Sequence, residues 1–104
     1  MASIALTEAV FYILLSLTEP LHGYGIMLNV EKLSGGRVRL AAGTLYGAIN
    51  TLLEKGWISA LTADSDSRKK EYIITDLGKE AVHCELERLK ELYDNGMAVM
   101  EETK

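Results

Sequence analysis

Cysteine is almost absent from this sequence, which contains a single one, Cys84, in 104 residues. One cysteine cannot form a disulfide within the chain, so the disulfide-bonded scaffolds of small secreted proteins are excluded. A reducing compartment is the simplest setting for such a chain, and we expect it in the cytoplasm. We interpret Cys84 itself as a small packing residue rather than a reactive thiol.

Long hydrophobic runs are also missing. The longest uninterrupted apolar run covers residues 9–15, whereas a helix that spans a bilayer needs about 20 apolar residues. Residues 1–8 contain no lysine or arginine, although a secretory signal begins with a basic region. We therefore expect no membrane helix, no secretory signal and no membrane partner.

The sequence lacks the motifs that would indicate an enzyme. It has no glycine-rich phosphate loop and no serine or cysteine in a known nucleophile motif. It has two histidines, and the adjacent pair His83 and Cys84 does not have the spacing of a zinc site. We predict that the chain is not an enzyme and that it binds no metal and no cofactor.

Charge is unevenly distributed. The formal net charge is −4, which by itself opposes binding to a polyanion because basic residues supply most nonspecific affinity for DNA. However, residues 34–70 hold six basic residues against three acidic ones, and residues 76–104 hold eight acidic residues against four basic ones. The basic middle and the acidic tail are predicted to face different partners.

Periodicity predicts three helices in the first half of the chain. Thr7 is a candidate N-cap for a helix over residues 8–17 that is apolar nearly all round, and His22 is interpreted as a turn residue that caps a second helix over residues 24–33. Residues 37–40 alternate basic and apolar side chains, which is typical of a short half-buried strand. A third helix, residues 42–55, is expected to end at Gly56.

A hairpin and a long helix are predicted in the second half. Residues 57–63 and 71–74 have strand character and flank a charged tip that contains Arg68, Lys69 and Lys70. Thr75 is a candidate N-cap for a last helix that reaches about residue 100. The predicted fold class is mainly α with a small β-hairpin: a winged helix-turn-helix over residues 1–75, followed by a C-terminal dimerisation helix over residues 76–104 that forms one compact unit with helix 1.

The third helix has two different faces. On a helical wheel its leucine, isoleucine and alanine side chains gather on one arc, and polar side chains occupy the other. An α-helix fits the major groove of B-DNA, and a cationic loop beside it can reach the backbone. The outward residues that we assign to DNA are Thr44, Tyr46, Asn50 and Thr51 as hydrogen-bond donors, with Gly47 allowing close approach. A merely solvated face is the alternative interpretation.

The last helix carries an apolar stripe that indicates self-association. Val82, Leu86, Leu89, Tyr93, Gly96 and Met100 recur at spacings of four and three residues, which is the seam of a coiled coil. Too little of a small domain remains to cover such a stripe, so we expect a homodimer. The residues assigned to the dimer interface are Phe11, Val82, Leu86, Leu89, Tyr93, Met97 and Met100.

Several motifs together resemble the PadR family of bacterial transcriptional regulators, in the short form with one C-terminal helix. They are His22-Gly23-Tyr24-Gly25, Ala42-Gly43-Thr44-Leu45-Tyr46, the run from Leu52 to Ile58, and Tyr72-Ile73-Ile74-Thr75 with Gly78. The resemblance implies a homodimer held by the terminal helices, double-stranded DNA operators of dyad symmetry, and repression relieved by a small molecule, here a hydrophobic or aromatic effector.

Individual positions take roles from the same resemblance. Tyr24 and Tyr46 match tyrosines that lie at the DNA backbone, Thr44 matches the polar start of the recognition helix, and Arg68, Lys69 and Lys70 match the wing tip. Members often carry basic residues where this chain has Gly47, Asn50 and Thr51. Affinity is therefore expected to depend more on the wing and on Arg37 and Arg39. Alanine, at 41 or 42, replaces the serine that usually caps the recognition helix.

A second function remains open on the sequence. The net charge of −4 favours a winged-helix domain used for protein–protein contact without DNA binding. The basic hairpin tip is the feature that discriminates between the two functions, because phosphate contacts would require it.

Overall fold

Four helices and a small three-stranded sheet form the computed structural model of this chain, which describes residues 5–61 and 70–102. The element bounds are α1 Glu8–Ser16, β1 Leu21–His22, α2 Gly23–Leu33, α3 Ala42–Lys55, β2 Ile58–Leu61, β3 Glu71–Ile74 and α4 Asp76–Glu102. The predicted fold class is confirmed. Arg68 and Lys69, and the end of the strand predicted to reach residue 63, lie outside the described residues.

The ends of the helices are set by local hydrogen bonds. Thr7 caps α1, because its hydroxyl accepts from the Val10 N–H at 3.1 Å. The Nδ1 atom of His22 accepts from the Gly25 N–H at 3.2 Å and caps α2 in the same way. At Ala41 there is no side-chain cap for α3, as the sequence indicated.

Gly56 and Thr75 join the end of α3 to the start of α4. Gly56 ends α3 with φ 75°, in the left-handed region that favours glycine. The Thr75 hydroxyl donates to the Gly56 carbonyl at 2.6 Å and accepts from the Gly78 N–H at 3.1 Å. One hydroxyl therefore caps α4 and also links it to the residue that ends α3.

The sheet differs from the prediction in one strand. Its order is β1-β3-β2, with Leu21 opposite Tyr72 and Ile58 opposite Ile74, both pairings antiparallel. Residues 37–40 form no strand, so that prediction was wrong. The Ser34 hydroxyl accepts from the Val38 N–H at 2.9 Å, which satisfies this backbone donor locally instead of in a ladder. The third strand is instead the short β1, which precedes α2.

The core lies between α1, α2, α3 and the sheet. The side chains with at most 2% exposure there are Ile13, Leu14, Leu17, Ile26, Val30, Leu45, Ile49, Leu52 and Ile58. Val82 belongs to the same core with 7% exposure. The sequence had assigned Val82 to the dimer interface, and this placement corrects that assignment, since its side chain packs inside its own chain.

Beyond Arg88, helix α4 extends away from the rest of the chain. Residues 91–102 are exposed throughout, and the long axis of the molecule measures 60 Å. In the part of the chain that the structure describes, every helix is too short or too polar to cross a bilayer.

Candidate nucleic-acid interface

Helix α3 presents a polar face to solvent. Its apolar residues Leu45, Ile49 and Leu52 are buried, which fixes the rotation of the helix about its axis. The opposite face carries the exposed residues predicted to meet DNA, namely Thr44, Tyr46, Gly47, Asn50 and Thr51. A Cβ added at Gly47 would meet nothing within 4 Å, so the surface is open at the middle of the face.

Two of these polar side chains already have contacts within the protein. The Thr51 hydroxyl donates to the Gly47 carbonyl at 3.2 Å, one helical turn back. The Tyr46 ring lies against Gly23, the first residue of α2, where an added Cβ would overlap the phenol oxygen and come 2.7 Å from Cζ. A larger residue at position 23 would therefore collide with the Tyr46 ring unless that ring moved.

The position of Tyr46 creates a corner where α2, α3 and the sheet meet. Tyr24, the second residue of α2 and the chain neighbour of Gly23, is 64% exposed. Tyr72 of β3 lies opposite Leu21 of β1. Burial raises the pKa of the Tyr72 phenol, and the neighbouring Tyr46 phenol raises it further. Tyr46 thus lies between the start of α2 and Tyr72 of the sheet, and we call this place, with Tyr24 next to Gly23 in the chain, the tyrosine corner.

The arginines of the α2–α3 loop are paired with carboxylates. The Arg37 guanidinium binds the Glu8 carboxylate of α1, and Arg39 Nε lies 2.9 Å from Glu31 Oε1 of α2. The sequence had indicated both arginines as DNA-binding residues but had indicated no partner within the chain for either. Glu8 lies 29 residues from Arg37, too far along the chain for a periodicity argument to find.

The wing is the hairpin of β2 and β3, and the structure describes these two strands but not residues 62–69 between them. Lys70 is exposed and directly precedes β3, the second strand of the hairpin. Arg68 and Lys69 belong to residues 62–69, outside the described part of the chain. The base of the wing and the open face of α3 are joined through the α3–β2 turn at Gly56.

Apart from the buried Val82, the residues predicted to form a dimer interface occupy two environments. Leu86, Leu89, Tyr93, Met97 and Met100 are exposed large apolar side chains along α4, with Leu89 at 40% and Tyr93 at 66%. Leu92, which the sequence analysis did not include, is also exposed. Phe11 of α1 is half-buried against the core and contacts Tyr12 edge to face.

A buried carboxylate that the sequence did not indicate connects α4 to the start of the chain. Glu85 is 3% exposed. Its carboxylate accepts two hydrogen bonds of 2.7 Å from Arg88 and one of 3.3 Å from the Leu6 N–H. Arg88 lowers the pKa of Glu85, burial opposes this effect, and the Leu6 N–H lowers the pKa further.

Three helices followed by a β-hairpin, with an exposed polar face on the third helix, define a winged helix-turn-helix protein. The sequence profile described as the transcriptional regulator PadR-like family matches residues 11–84. The chain belongs to this family, which confirms the resemblance seen in the sequence. The family is one of transcriptional regulators rather than of enzymes.

Solved structures support the same assignment. A PadR family transcriptional regulator from Eggerthella lenta DSM 2243 is 26% identical, with a TM-score of 0.68 over 91% of this chain and 82% of that one. Bacillus subtilis PadR in complex with operator DNA shares the fold at 24% identity, with a TM-score of 0.61 over 75% of this chain and 44% of that one.

One curated relative is much longer. An uncharacterized 37.1 kDa protein in transposon TN4556 of Streptomyces fradiae is 34% identical over 73 residues, which are 70% of this chain. The match spans about a fifth of that relative's length, 20%.

Proposed function

We propose that this chain is a homodimeric, sequence-specific DNA-binding regulator that recognises an operator of dyad symmetry. The observation that carries the proposal is the open polar face of α3, which is rotated outward by the burial of Leu45, Ile49 and Leu52 and adjoins the tyrosine corner. Residues 1–75 bind DNA and residues 76–104 dimerise in this proposal, and the protein acts in the cytoplasm.

The face of α3 suits the major groove. Thr44 and Asn50 are exposed on it, and short polar side chains of this kind form hydrogen bonds with base edges. Gly47 stands between them with open space in front of it, which allows the helix backbone to approach the bases. We expect Thr51 to contribute less to base contacts than Thr44 and Asn50, because its hydroxyl already donates to the Gly47 carbonyl of its own helix.

Backbone contacts are assigned to the residues around that face. Tyr24 and Tyr46 hold phenol groups at the start of α2, and hydroxyl contacts to phosphates position a protein on the duplex without reading its sequence. Lys70 and the wing-tip residues Arg68 and Lys69 add positive charge on the flanking side. The operator DNA bound by Bacillus subtilis PadR supports this use of the fold.

The apolar stripe on α4 supports dimerisation. Leu86, Leu89, Tyr93 and Met97 are all at least 40% exposed in the single chain, and pairing with a second copy would remove them from water. A two-fold dimer places two recognition helices about 34–36 Å apart, on half-sites one helical turn from each other. An operator of dyad symmetry follows from that geometry.

We assign the regulator a repressor role that a small hydrophobic or aromatic effector relieves. The family resemblance motivates this role, and the apolar stripe offers a surface that could hold such a molecule between two copies. A thermal-shift screen with aromatic and cationic drugs tests it. Stabilisation by a member of the screen, together with weaker operator binding, supports the assignment, and the absence of any stabilisation contradicts it.

Selection of bound fragments from genomic DNA, followed by affinity measurements across salt, tests DNA recognition. Enrichment of a palindromic site, with affinity that falls steeply as salt rises, is the expected result. No enrichment at low salt contradicts DNA binding and favours the protein–protein module instead, which the net charge of −4 would suit.

A further inference from the structure

The α2–α3 loop holds its two arginines against carboxylates of the same chain. Arg37 binds Glu8 in the first turn of α1, and Arg39 binds Glu31 in α2 through Nε at 2.9 Å. Both arginines lie a few residues before Ala42, where α3 begins. Two of the cations closest in sequence to the proposed recognition helix are therefore neutralised in the free protein.

We propose that Glu8 and Glu31 compete with DNA phosphates for Arg37 and Arg39, and that they thereby lower the affinity of the protein for DNA of any sequence. This inference rests on the proposed function, because it concerns the strength of DNA binding. It assigns a role to two acidic residues that the sequence analysis did not include.

The competition follows from the chemistry of the guanidinium group. Arginine presents a planar fork of N–H donors that fits a carboxylate and a phosphate equally well. The guanidinium N–H group that faces a glutamate cannot contact a phosphate until the glutamate leaves. A glutamate that stays beside the phosphate adds a repulsion between two anions.

Exposure makes the exchange feasible. The side chains are 68% exposed for Arg37 and 77% for Arg39, and 44% and 42% for their glutamate partners. An ion pair that is this accessible stabilises a protein weakly, roughly by a factor of two to five in the equilibrium constant. DNA can therefore displace the carboxylates, and the loss in affinity has about the same size.

The effect on DNA binding should be independent of sequence. Phosphate contacts supply nonspecific affinity, and a genome offers a vast excess of nonspecific sites. Two carboxylates that weaken those contacts would lower the amount of regulator held at random DNA. Glu8 and Glu31 would then lower nonspecific DNA affinity in the same direction as the negative net charge of the chain.

Substitution of the carboxylates tests the proposal in the full chain. Glu31→Gln and Glu8→Gln should each bind operator and random DNA roughly two- to fivefold more tightly at ~0.1 M salt, with a steeper salt dependence. Glu91→Gln is the matched control, because Glu91 is exposed on the distal part of α4 and its loss changes the net charge equally. The control should change affinity less than about twofold.

A second pair of variants isolates the arginine. In an Arg39→Ala background, the gain from Glu31→Gln should shrink, because no guanidinium remains to be released. An equal gain in both backgrounds overturns the competition and leaves general repulsion. Unchanged or weaker binding by Glu31→Gln also overturns it, provided that the unsubstituted protein binds DNA. Failure of the unsubstituted protein to bind any DNA at low salt would instead refute the proposed function itself.

Discussion

The carboxylate of Glu85 in α4 accepts a hydrogen bond from the backbone N–H of Leu6, a residue 79 positions earlier, at 3.3 Å. The same carboxylate holds the Arg88 guanidinium with two bonds of 2.7 Å. The bond to Leu6 ties the segment before α1 to the helix that we propose to form the dimer. The Glu85 carboxylate is also almost completely buried, so its protonation should have a measurable effect on stability.

Glu85→Gln should lower the free energy of unfolding by about 1–2 kcal/mol at pH 7, because the charge-assisted bonds to Arg88 are lost. The pKa of Glu85 in the folded protein lies below its ordinary value of 4.5. The unfolded chain therefore takes up a proton first as pH falls. The stabilisation is complete well above pH 4.5 and is lost as pH falls through the lower, folded pKa.

Urea unfolding checks this prediction. The unsubstituted chain and Glu85→Gln are compared at one protein concentration and at several pH values from neutral to acidic. The difference between them should be largest at neutral pH and should shrink in acid. Glu87→Gln, at an exposed position on α4, is the control and should show a small difference throughout. A difference for Glu85→Gln that stayed constant with pH would argue against an ionised, stabilising carboxylate.

Gly78→Ala should strongly destabilise the protein. An added Cβ would overlap the Trp57 carbonyl oxygen and lie 2.8 Å from Ile74 Cγ1, and backbone cannot move aside as a flexible side chain can. We expect a loss of about 2–3 kcal/mol in the free energy of unfolding. Gly47→Ala is the comparison, because space is open there and alanine is the better helix former. It should gain up to about 1 kcal/mol. Equal effects at both positions would contradict the contact.

Gly23 and Tyr46 should show energetic coupling. Gly23→Ala is expected to cost about 0.5–1.5 kcal/mol, because the half-exposed Tyr46 ring must move away from its place over the start of α2. The cost should fall when Tyr46→Ala is made first, since the obstruction is then gone. Urea unfolding of the two single variants, the double variant and the unsubstituted chain measures the coupling. Strict additivity would show that the two residues do not touch in solution.

Asn50→Ala and Lys70→Ala should weaken DNA binding in different ways. Removal of a base contact by Asn50→Ala should cost about 1–3 kcal/mol on the operator and little on random DNA. Removal of a phosphate contact by Lys70→Ala should weaken both equally and reduce the salt slope by about 1. Fluorescence anisotropy with both DNAs across salt separates the cases. The assignment of Asn50 to a base would be refuted by equal losses on the two DNAs.

Leu89→Glu should convert the proposed dimer to monomer, because it places a charge in the middle of the α4 stripe. Ala98→Glu is the matched control. It adds the same charge to an exposed position about 180° around the helix from Leu89 and should leave the dimer intact. Sedimentation at micromolar concentration distinguishes the species. An unsubstituted chain that sediments as a monomer would remove the basis for the dimer and for the symmetric operator together.

The features that the sequence predicted are those encoded within a few neighbouring residues. The bounds of α3 and β3 agree with the prediction, and the caps at Thr7 and His22 form as expected. A cap acts across three residues, and an apolar stripe repeats every three or four. Such patterns are visible in a linear sequence, and so are the motifs of the PadR-like family.

The tertiary structure alone decided which distant residues meet. It showed that β1 rather than residues 37–40 completes the sheet, and that Val82 packs in the core rather than on the exposed stripe. It also paired Arg37 with Glu8, and Glu85 with Leu6. Local patterns determine the elements and their faces, whereas contacts between residues far apart in the chain depend on how the elements pack, and no periodicity in the sequence records that packing.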